Sequence, residues 1–390
     1  MFLQNGVSVV SLFDGISCGR LAFDRAGIKV GSYSAFEIDK YAKAVSRCNY
    51  PDIKHYGDVL EADFSKFTGA DFVIGGSPCT FWSIAKNNRE TDKNGIGWKL
   101  FMKFIEAVKI IKPKYFLYEN VASMPKNIKD YITEEFKTEP IMINSALVSA
   151  QQRKRLYWTN IKNVVQPDDK KIFLKDIIES GITVREKSLC IDACYYKGVN
   201  HSLSGRQSTK RGMVYEPVVS VGAALRTRED KAGKFKRLEI RKDDKLNSLT
   251  TVLTDSMVCQ PVRIGAVGKG GQGERVYSVY GKTVCMSANG GGKGAKTGLY
   301  KVDLPDGDYI IRKLTPVEAE RCQTLPDNYT CFGIDDTGKK IKISNTQRYK
   351  CIGNGWTVDV IAHILSFTKN NASLLNDEPK GSFLMQRNYD

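Results

Sequence analysis

The chain has 390 residues, 42% of them hydrophobic and 26% charged, and this composition excludes intrinsic disorder, collagen and coiled coil as the main architecture. No stretch approaches the roughly 20 apolar residues of a membrane helix, and residues 1–6 lack a signal-peptide pattern, so we expect a protein that remains where it is synthesised. The net charge is +16, and residues 185–300 hold 21 Lys and Arg against 10 Asp and Glu, which favours a polyanionic partner such as nucleic acid.

The first 160 residues alternate short apolar runs with helical patterns, which predicts a β-α-β series and a mostly parallel sheet. The predicted strands are 7–12, 30–36, 71–74, 115–118, 141–148 and 156–161. The predicted helices are 20–26, 40–48 and 98–111, and helical patterns return at 315–323 and 358–367. The chain is therefore expected to leave a first domain, build a second and return to the first.

The segment from 183 to 308 is rich in Gly, Ser, Thr, Lys and Arg and has short β-branched runs at 218–221 and 250–253. We interpret it as a second domain of short twisted strands and long loops. A disordered linker is the alternative, against which the β-branched and aromatic residues argue. The expected boundaries are 1–164 for the first domain, 165–310 for the second, 311–369 for the return segment and 370–390 for a loose tail.

Ten cysteines in a chain of this length, with no C-x-x-C pair, do not indicate a disulfide scaffold. Cys190, Cys194 and His201 are the nearest approach to a metal cluster, but they lack a fourth ligand at zinc-like spacing. We therefore expect no metal site, and we expect most of the cysteines to be reduced and buried. Cys79 is expected to be different.

Polar residues follow several predicted strands, at the edge where parallel sheets bind ligands. Phe13-Asp14-Gly15 and Gly19 follow the first strand, Glu37 ends the second, and Asp58 lies near the next strand end. The glycines allow tight turns beside a ligand, and the acids can accept hydrogen bonds from a ribose and an adenine amine. Because the segment lacks G-x-G-x-x-G, S-adenosylmethionine fits better than a dinucleotide, and a nicotinamide oxidoreductase is disfavoured.

A second group of reactive residue types is expected at the same edge. Cys79 follows Gly75-Gly76-Ser77-Pro78 after a buried strand, Glu119-Asn120-Val121 ends another strand, and Gln151-Gln152-Arg153-Lys154-Arg155 enters the last one. A thiol, a carboxylate and two arginines at one edge of a sheet indicate a reaction centre rather than a structural coincidence.

Taken in order, these residues resemble the motifs of C5-cytosine DNA methyltransferases. The matching motifs are Phe13-Asp14-Gly15 with Gly19, Ser77-Pro78-Cys79, Glu119-Asn120-Val121, Gln151 with Arg153 and Arg155, Arg312-Lys313-Leu314-Thr315-Pro316, and Gly353-Asn354. The similarity spans 7–161 and 312–367 and leaves the middle as the variable target-recognition region. It is greatest to the subgroup that includes vertebrate de novo enzymes and many phage enzymes, and the lack of flanking reader modules favours a bacterial or phage type. Gly355-Trp356 departs from the Ser-Val of many bacterial members, which leaves open the wall of the cofactor pocket.

The resemblance implies an α/β architecture, the S-adenosylmethionine-dependent methyltransferase fold. Its sheet is mixed, mostly parallel and doubly wound, and a smaller, loop-rich, mainly β target-recognition domain faces it across a DNA cleft. It also implies a DNA (cytosine-5-)-methyltransferase acting on a cytosine flipped out of duplex DNA. Cys79 would add to C6 of the ring and Glu119 would hold a proton at N3. Arg153 and Arg155 would lie near O2 and the active-site loop, where positive charge favours the Cys79 thiolate.

Residue by residue, the resemblance assigns two further sets of contacts. The S-adenosylmethionine pocket would include Phe13, Asp14, Gly15, Gly19, Glu37, Ile38, Asp58, Val59, Pro78, Leu100, Asn354 and Trp356. The DNA substrate would contact Ser77, Pro78, Ser83, Arg89 and Asn120. Residues 80–97, with Lys86, Arg89 and Lys93 for phosphates, are predicted to close over the flipped base.

The implied partner is double-stranded DNA, and a cognate restriction endonuclease is left open. We expect a monomer with no membrane association, in the cytoplasm of a bacterial host cell and associated with the nucleoid. Two alternatives stay open. One is the same chemistry on a transfer RNA, against which the long basic segment argues. The other is a catalytically silent DNA-binding regulator of the same fold, against which the intact Cys79, Glu119, Arg153 and Arg155 argue.

We predict that residues 185–300 bind DNA mainly through its phosphates, so affinity should fall steeply with salt as counterions are released. If the segment neutralises six or more phosphates, raising the salt from roughly 50 to 200 mM should weaken binding about 10³-fold or more. Titration of a duplex at several salt concentrations measures this slope. A dissociation constant that does not change with salt would instead support a solvated basic face with no partner.

Overall fold

The computed structural model of the chain describes residues 6–83, 88–180, 183, 186–193, 195 and 313–369, together with the backbone of the strands between 213 and 313 and of the last helical residues, 370–371. The chain forms two compact units. The first comprises Met1–Ile177, Arg185–Tyr196 and Thr315–Asp390, and the second comprises Ile178–Val184 and Lys197–Leu314. Within the described ranges, no helix is long and apolar enough to cross a membrane.

The first unit is built on a seven-stranded sheet. Its strands are Val7–Leu12 (β1), Val30–Phe36 (β2), Lys54–Tyr56 (β3), Phe72–Gly75 (β4), Tyr115–Val121 (β5), Ile141–Asn144 (β6) and Lys154–Thr159 (β7). The order is β3-β2-β1-β4-β5-β7-β6, and only β7 runs antiparallel to its neighbours. The predicted mixed, mostly parallel, doubly wound sheet is confirmed. Because the chain winds outward from β1 in both directions, the carboxyl ends of β1 and β4 meet at a switch point where ligands bind.

Seven helices are found among the described residues of this unit. They are Cys18–Arg25 (α1), Lys40–Asn49 (α2), Ile96–Ile111 (α3), Lys126–Phe136 (α4), Pro316–Cys322 (α5), Asn345–Asn354 (α6) and Val358–Asn371 (α7). A hairpin of Phe332–Ile334 and Lys340–Lys342 precedes α6. The last three helices lie in Thr315–Asp390, which groups with the first unit.

The core lies between α3, α4 and the central strands. Residues of β4 are buried on both faces of the sheet, as the near-continuous apolar run of a central parallel strand predicts. Phe101 and Phe104 of α3 pack on Tyr118 of β5 with ring centroids 5.3 and 5.0 Å apart, and Phe136 of α4 packs on the same tyrosine. This aromatic cluster holds the carboxyl ends of β4 and β5 side by side.

Four predicted strands have different bounds: 71–74 is Phe72–Gly75, 115–118 extends to Val121, and the last two differ for local reasons. The strand predicted over 141–148 ends at Asn144, whose side-chain oxygen accepts hydrogen bonds from the backbone N–H groups of Ala146 (3.2 Å) and Arg153 (2.9 Å) and so starts a short helical turn. The strand predicted over 156–161 begins at Lys154 and ends at Thr159, whose hydroxyl accepts from the backbone N–H of Ile161. Asn and Thr side chains commonly end strands in this way.

The second unit contains strands only, as far as the structure describes it. They are Met213–Pro217, Val221–Asp230, Gly233–Ile240, Met257–Cys259, Arg263–Ala266, Arg275–Tyr277, Leu299–Tyr300, Asp303–Leu304 and Gly307–Lys313. Val221–Asp230 pairs antiparallel with both of the next two strands. The mainly β character predicted for the middle segment agrees with these strands, whereas residues 218–220 and 250–253 and the predicted tail beyond 371 lie outside the described residues.

The boundaries predicted for the second domain remain a prediction, and residues near its predicted start belong to the first unit. Arg185–Tyr196 groups with the sheet, and the backbone N–H of Ile191 donates to Gln151 Oε1 at 2.8 Å. The chain therefore belongs to the second unit over Ile178–Val184, returns to the first over Arg185–Tyr196, and continues in the second from Lys197.

A buried ion pair organises the return segment. Glu320 of α5 is fully buried and accepts hydrogen bonds from the backbone N–H groups of Asn328 and Thr330, both at 2.8 Å, and from the Thr330 hydroxyl. Arg348 of α6 completes its shell through Nη2 at 2.9 Å. A buried carboxylate needs these partners, because losing one of them leaves negative charge uncompensated in the apolar interior.

We predict that Arg348→Met lowers the free energy of unfolding by about 3–5 kcal/mol, because it leaves the Glu320 carboxylate buried without its cation. Urea denaturation followed by circular dichroism measures the change. Lys103→Met is the matched control, since it removes the partly exposed pair with Glu106 on α3 and should leave stability nearly unchanged. Equal small effects for the two variants would contradict the prediction.

Candidate active site

A carboxylate held by two donors lies at the end of β5. Glu119 Oε1 accepts a hydrogen bond from Arg155 Nε at 2.9 Å, and Oε2 accepts one from the indole Nε1 of Trp356 at 3.0 Å. Glu119 and Arg155 lie on neighbouring antiparallel strands, and each side chain is only 12% exposed. Trp356 reaches them from the turn between α6 and α7. The three residues therefore meet although they come from three distant parts of the sequence.

The predicted nucleophile Cys79 follows β4 in a short helical turn, Cys79–Phe81, and is half-buried. The preceding Gly76 lies so close to β5 that a Cβ there would be 2.7 Å from the backbone oxygen of Glu119. Only glycine fits this approach, which brings the turn against the end of β5. Burial raises the pKa of the Cys79 thiol, and Arg155 counteracts this more than Arg153 does, while Glu119 adds to the rise. Positive charge thus favours the thiolate as expected, but desolvation is the larger effect.

Ser77 and Asn120, predicted as substrate contacts, are almost fully buried. The hydroxyl of Ser77 lies 2.6 Å from that of Tyr118, and Asn120 Nδ2 donates to the backbone oxygen of Ser77 at 3.2 Å and to the Tyr118 hydroxyl at 3.2 Å. These bonds join the turn after β4 to β5. In this structure both residues act on the position of Cys79, and their contact with a substrate stays a prediction.

Arg153, predicted as a catalytic residue, is buried and donates to four acceptors. Nη1 donates to the backbone oxygen of Ile191 at 3.0 Å and to Cys190 Sγ at 3.4 Å. Nη2 donates to the backbone oxygens of Gly353 at 3.2 Å and Gly355 at 2.9 Å. The guanidinium therefore connects β7 with the segment at 190–191 and with the end of α6. Its role in a reaction stays a prediction.

A buried hydrogen-bond network supports this junction. Gln151 Nε2 donates to Gln323 Oε1 at 3.1 Å and to the backbone oxygen of Cys322 at 3.0 Å. Gln323 donates in turn to the backbone oxygen of Ile352, and the hydroxyl of Thr357 donates to Gln323 Oε1 at 2.8 Å. Gln151 belongs to the motif recognised in the sequence, whereas nothing in the sequence pairs it with Gln323, 172 residues away.

Cys190 is a residue of this site that sequence reasoning missed. Its sulfur accepts hydrogen bonds from Arg153 Nη1 at 3.4 Å and from Arg155 Nη2 at 3.8 Å. Burial raises the pKa of the Cys190 thiol, but Arg153 and Arg155 together outweigh burial, and the pKa lies below its ordinary value. In the sequence, Cys190 stands out only with Cys194 and His201, as a grouping that is not expected to bind a metal. Cys194 and His201 lie outside the described residues, within which no group of three or more His, Cys, Asp and Glu could hold a metal ion.

Two further carboxylates lie at the ends of β1 and β2. Glu37 Oε2 accepts from the backbone N–H of Gly15 at 2.8 Å, and Oε1 accepts from those of Ile38 and Asp39 at 2.9 and 2.7 Å. Asp14 accepts from the hydroxyls of Tyr33 and Ser17. Burial raises the pKa of both carboxyl groups. Phe13 and Gly15 have positive φ angles of 58° and 62°, which turn the chain beside these acids.

The other predicted pocket residues differ in exposure. Ile38 is 70% exposed beside Glu37, which is unusual for a large apolar side chain, whereas Val59 is buried in the core. Leu100 is half-buried, Pro78 and Asn354 are exposed, and Asp58 uses Oδ1 to accept from the backbone N–H of Leu60 at 2.9 Å. Gly19 is tightly packed, since a Cβ there would lie 2.6 Å from Ile74 Cδ1 and 3.5 Å from the Trp356 ring.

These features fit a nucleoside ligand such as that of S-adenosylmethionine. The Glu37 carboxylate is fixed by three backbone N–H groups and can still accept hydrogen bonds from hydroxyl groups. The exposed Ile38 offers an apolar surface beside it, and the space around Gly15 is open. Polar groups that fix a ligand beside an apolar surface are typical of small-molecule sites.

Arg89 and Lys93, predicted as phosphate contacts, touch other parts of the protein. Arg89 Nη1 donates to the backbone oxygen of Ser123 at 2.9 Å. The Lys93 ammonium lies 4.3 Å from the ring centre of Tyr131 and 5.1 Å from that of Trp98. Ser83 is half-buried, and Lys86 lies outside the described residues. Contact of these side chains with nucleic acid stays a prediction.

Comparison with known proteins adds a family and several relatives. The C-5 cytosine-specific DNA methylase family matches residues 7–370. The chain is 28% identical to the type II methyltransferase M.HhaI of Haemophilus parahaemolyticus, over 96% of this chain and 97% of that protein. It is 26% identical to the orphan methyltransferase M.SPRI of Bacillus phage SPR, over 91% and 96% of the two chains.

The fold is also similar to that of solved methyltransferases. The structure of Entamoeba histolytica methyltransferase EhMeth superposes with a TM-score of 0.55 at 13% identity, over 95% of this chain and 99% of that chain. The S. pombe Dnmt2 methyltransferase gives a TM-score of 0.51 at 12% identity, over 95% and 99%. The predicted methyltransferase fold is thereby confirmed.

We predict that iodoacetamide alkylates Cys79 with a pH midpoint above that of free cysteine, because burial raises the pKa of this thiol and only the thiolate reacts. Arg155→Gln removes the cation that most counteracts burial, so the midpoint should rise further. A rise of one pKa unit lowers the thiolate fraction tenfold and increases its nucleophilicity about threefold, a net slowing of about threefold at pH 7.

Mass spectrometry of alkylated peptides measures the midpoint for Cys79 separately from the other thiols. Arg25→Gln is the control, because Arg25 pairs with Asp359 and does not act on Cys79. A midpoint at or below that of free cysteine in the unsubstituted protein would contradict the prediction.

Proposed function

The chain belongs to the C-5 cytosine-specific DNA methylase family, and we propose that it is a DNA (cytosine-5-)-methyltransferase that methylates a flipped-out cytosine in duplex DNA with S-adenosylmethionine as donor. The observation that carries the proposal is the placement of the Cys79 thiol beside the Glu119–Arg155 pair at the carboxyl edge of the sheet. Similarity to type II and phage orphan methyltransferases over nearly the whole chain supports it.

Cys79 is the nucleophile of the proposed mechanism. Cytosine C5 is a poor nucleophile, and addition of the Cys79 thiolate to C6 shifts the C5–C6 π electrons onto C5 and, through C4, towards N3, so that C5 becomes nucleophilic. Because burial raises the pKa of the Cys79 thiol, the thiol must lose its proton before it can attack C6. Arg155 stabilises the thiolate, which is the electrostatic reason for a guanidinium at this position.

Glu119 is the acid at N3 in this mechanism. As the thiolate adds, negative charge develops on N3, and a proton from the carboxyl group neutralises it. Both oxygens of Glu119 accept hydrogen bonds in the structure, so the oxygen that donates to N3 must release its present donor. The neutral indole of Trp356 binds a carboxylate more weakly than the charged Arg155 does, so Oε2 is the oxygen that turns to the base.

The donor would be held by the residues at the ends of β1, β2 and β3. Glu37 would accept from the ribose hydroxyls and Asp58 from the adenine amine, and Ile38, Asp14 and Trp356 would also line the site. When bound, S-adenosylmethionine supplies the methyl group as a sulfonium carbon that C5 can attack. Loss of the C5 proton, which we assign to a water, then lets Cys79 leave C6 and restores the aromatic ring.

Two alternatives would retain part of this chemistry. The first is a transfer RNA substrate, and methylation rates on duplex DNA and on transfer RNA distinguish it from DNA. The second is a silent DNA-binding regulator, against which the paired Glu119 and Arg155 beside Cys79 argue, because a binding protein does not need them.

We further propose a monomer in the cytoplasm of a bacterial cell, at the nucleoid. A cognate restriction endonuclease stays open because the relatives include both type II and orphan enzymes.

We predict that duplex DNA carrying 5-fluorocytosine at the target position traps the enzyme in a covalent complex that depends on S-adenosylmethionine. A proton can leave C5 after methyl transfer, but fluorine cannot leave as a cation, so Cys79 stays bonded to C6. The target sequence needed for this substrate comes from bisulfite sequencing of DNA from cells that express the protein. Denaturing electrophoresis then measures the adduct.

Cys79→Ser should abolish the adduct, because an alcohol is far less ionised and less nucleophilic than a thiol at neutral pH. Cys48→Ser is the control, since Cys48 is likewise a half-buried free thiol and lies on α2. Glu119→Gln should slow adduct formation and leave DNA binding intact. An adduct of equal yield in Cys79→Ser, or one mapped to another cysteine, would refute the mechanism.

A further inference from the structure

The charges around the proposed reaction centre are unequal. Arg153 and Arg155 bring two permanent positive charges to the start of β7, and among the described contacts the one carboxylate that pairs with them is Glu119, bonded to Arg155. Arg153 donates to three backbone oxygens and to Cys190, and none of its described contacts is a carboxylate. If Glu119 takes up a proton for its proposed role at N3, Arg155 loses its carboxylate counter-charge, and neither guanidinium then has one among the described contacts.

Cys190 is the group placed to supply a second negative charge. Its sulfur lies 3.4 Å from Arg153 Nη1 and 3.8 Å from Arg155 Nη2, so it is the acceptor that the two arginines share. Its other contact is weak, since the sulfur is 3.7 Å from the backbone oxygen of Ile191. A sulfur that faces two guanidinium groups is stabilised as a thiolate. In agreement, the two arginines outweigh burial and bring the pKa of Cys190 below its ordinary value.

We propose that Cys190 is a positioning residue of this site, a second thiolate that balances the charges of Arg153 and Arg155 and thereby sets how readily Cys79 ionises. The inference rests on the proposed function, in which Cys79 is the nucleophile. The two thiols share the same pair of cations, so negative charge on one opposes ionisation of the other. In agreement, the negative charge of Cys190 is among the causes that raise the pKa of Cys79.

The other groups that act on the two thiols must be considered with Cys190. After burial, the groups that act on the Cys79 thiol are Arg155, Glu119, Arg153 and Cys190, in decreasing order of effect. At Cys190 the charged groups are Arg153 and Arg155, and both also hydrogen-bond to its sulfur. Tyr157, the next ionisable residue on β7, is buried and uncharged at neutral pH because burial raises its pKa. Glu119 and Cys190 are therefore the two negative groups that compete for the arginines.

The sign of the effect follows from these charges. With Cys190 as a thiolate, part of the field of the arginines is neutralised and the pKa of Cys79 is higher. Replacing Cys190 by a neutral side chain leaves the full field to act on Cys79 and lowers its pKa, so Cys79 ionises at lower pH. Replacing Cys190 by aspartate keeps a negative charge beside the arginines, and the pKa of Cys79 should then stay at or above that of the unsubstituted protein.

The test is the pH dependence of Cys79 alkylation by iodoacetamide in the full-length protein, read by mass spectrometry, for Cys190→Ser, Cys190→Ala and Cys190→Asp. We expect the Cys79 midpoint to move to lower pH in the Ser and Ala variants and not in the Asp variant. A fall of one pKa unit would make alkylation at pH 7 about threefold faster after the lower nucleophilicity is included. Cys48→Ser is the control and should leave the Cys79 midpoint unchanged.

Two results would overturn the inference. An unchanged or raised Cys79 midpoint in Cys190→Ser and Cys190→Ala would show that Cys190 only fills space between the arginines. In the unsubstituted protein, which needs no variant to fold, a Cys190 midpoint at or above that of Cys79 would show that Cys190 is not the thiolate. Alkylation does not require methyl transfer, so a shifted midpoint in a protein that forms no fluorocytosine adduct would refute the proposed function and leave this inference standing.

Discussion

The arrangement of side chains at the carboxyl edge of the sheet depends on one buried guanidinium, that of Arg153. Arg153 donates to backbone oxygens of two segments that lie far apart in the sequence, at Ile191 and at Gly353 with Gly355. A lysine could not reach these three oxygens with the planar spread of a guanidinium, so loss of Arg153 would remove buried hydrogen bonds from both segments. Trp356 follows Gly355 directly, so the position of its indole on Glu119 depends on the same anchor.

Two opposed electrostatic effects act on the groups beside this anchor. Removing a thiol from water raises its pKa, and a neighbouring guanidinium lowers it. The balance differs for two cysteines at the same edge, because Cys190 touches both arginines and Cys79 does not hydrogen-bond to either among the described contacts. The identity of a residue is therefore not enough to say which thiol carries charge. Distance to the cations decides it, and that distance is a property of the fold.

Sequence reasoning was most successful where a property is local. The bounds of β1 and β2 follow from their apolar runs, and the meeting of Cys79, Glu119 and Arg155 follows from the rule that ligands bind where parallel strands end. The helix α4 was missed although Ile128, Ile132 and Phe136 recur at helical spacing. By contrast, the four acceptors of Arg153 and the partners of Cys190 could not be predicted, since tertiary contacts across as many as 202 residues determine them. Burial is the largest effect on the pKa of Cys79, and the degree of burial of the turn that carries Cys79 cannot be read from a sequence motif.

The polar junction between Gln151, Gln323 and Thr357 has a consequence for the order in which the protein becomes active during its synthesis. Cys79 and the strands that carry Glu119 and Arg155 all lie before residue 160, but their anchors at 353–357 are synthesised much later. At a translation rate of about 5–20 residues per second, roughly 10–40 s separate the two. During that interval the nascent chain holds every reactive side chain without the indole and backbone oxygens that orient them. A partly made copy therefore lacks the contacts that orient Glu119 and Arg153, which form only after residues 353–357 have been made.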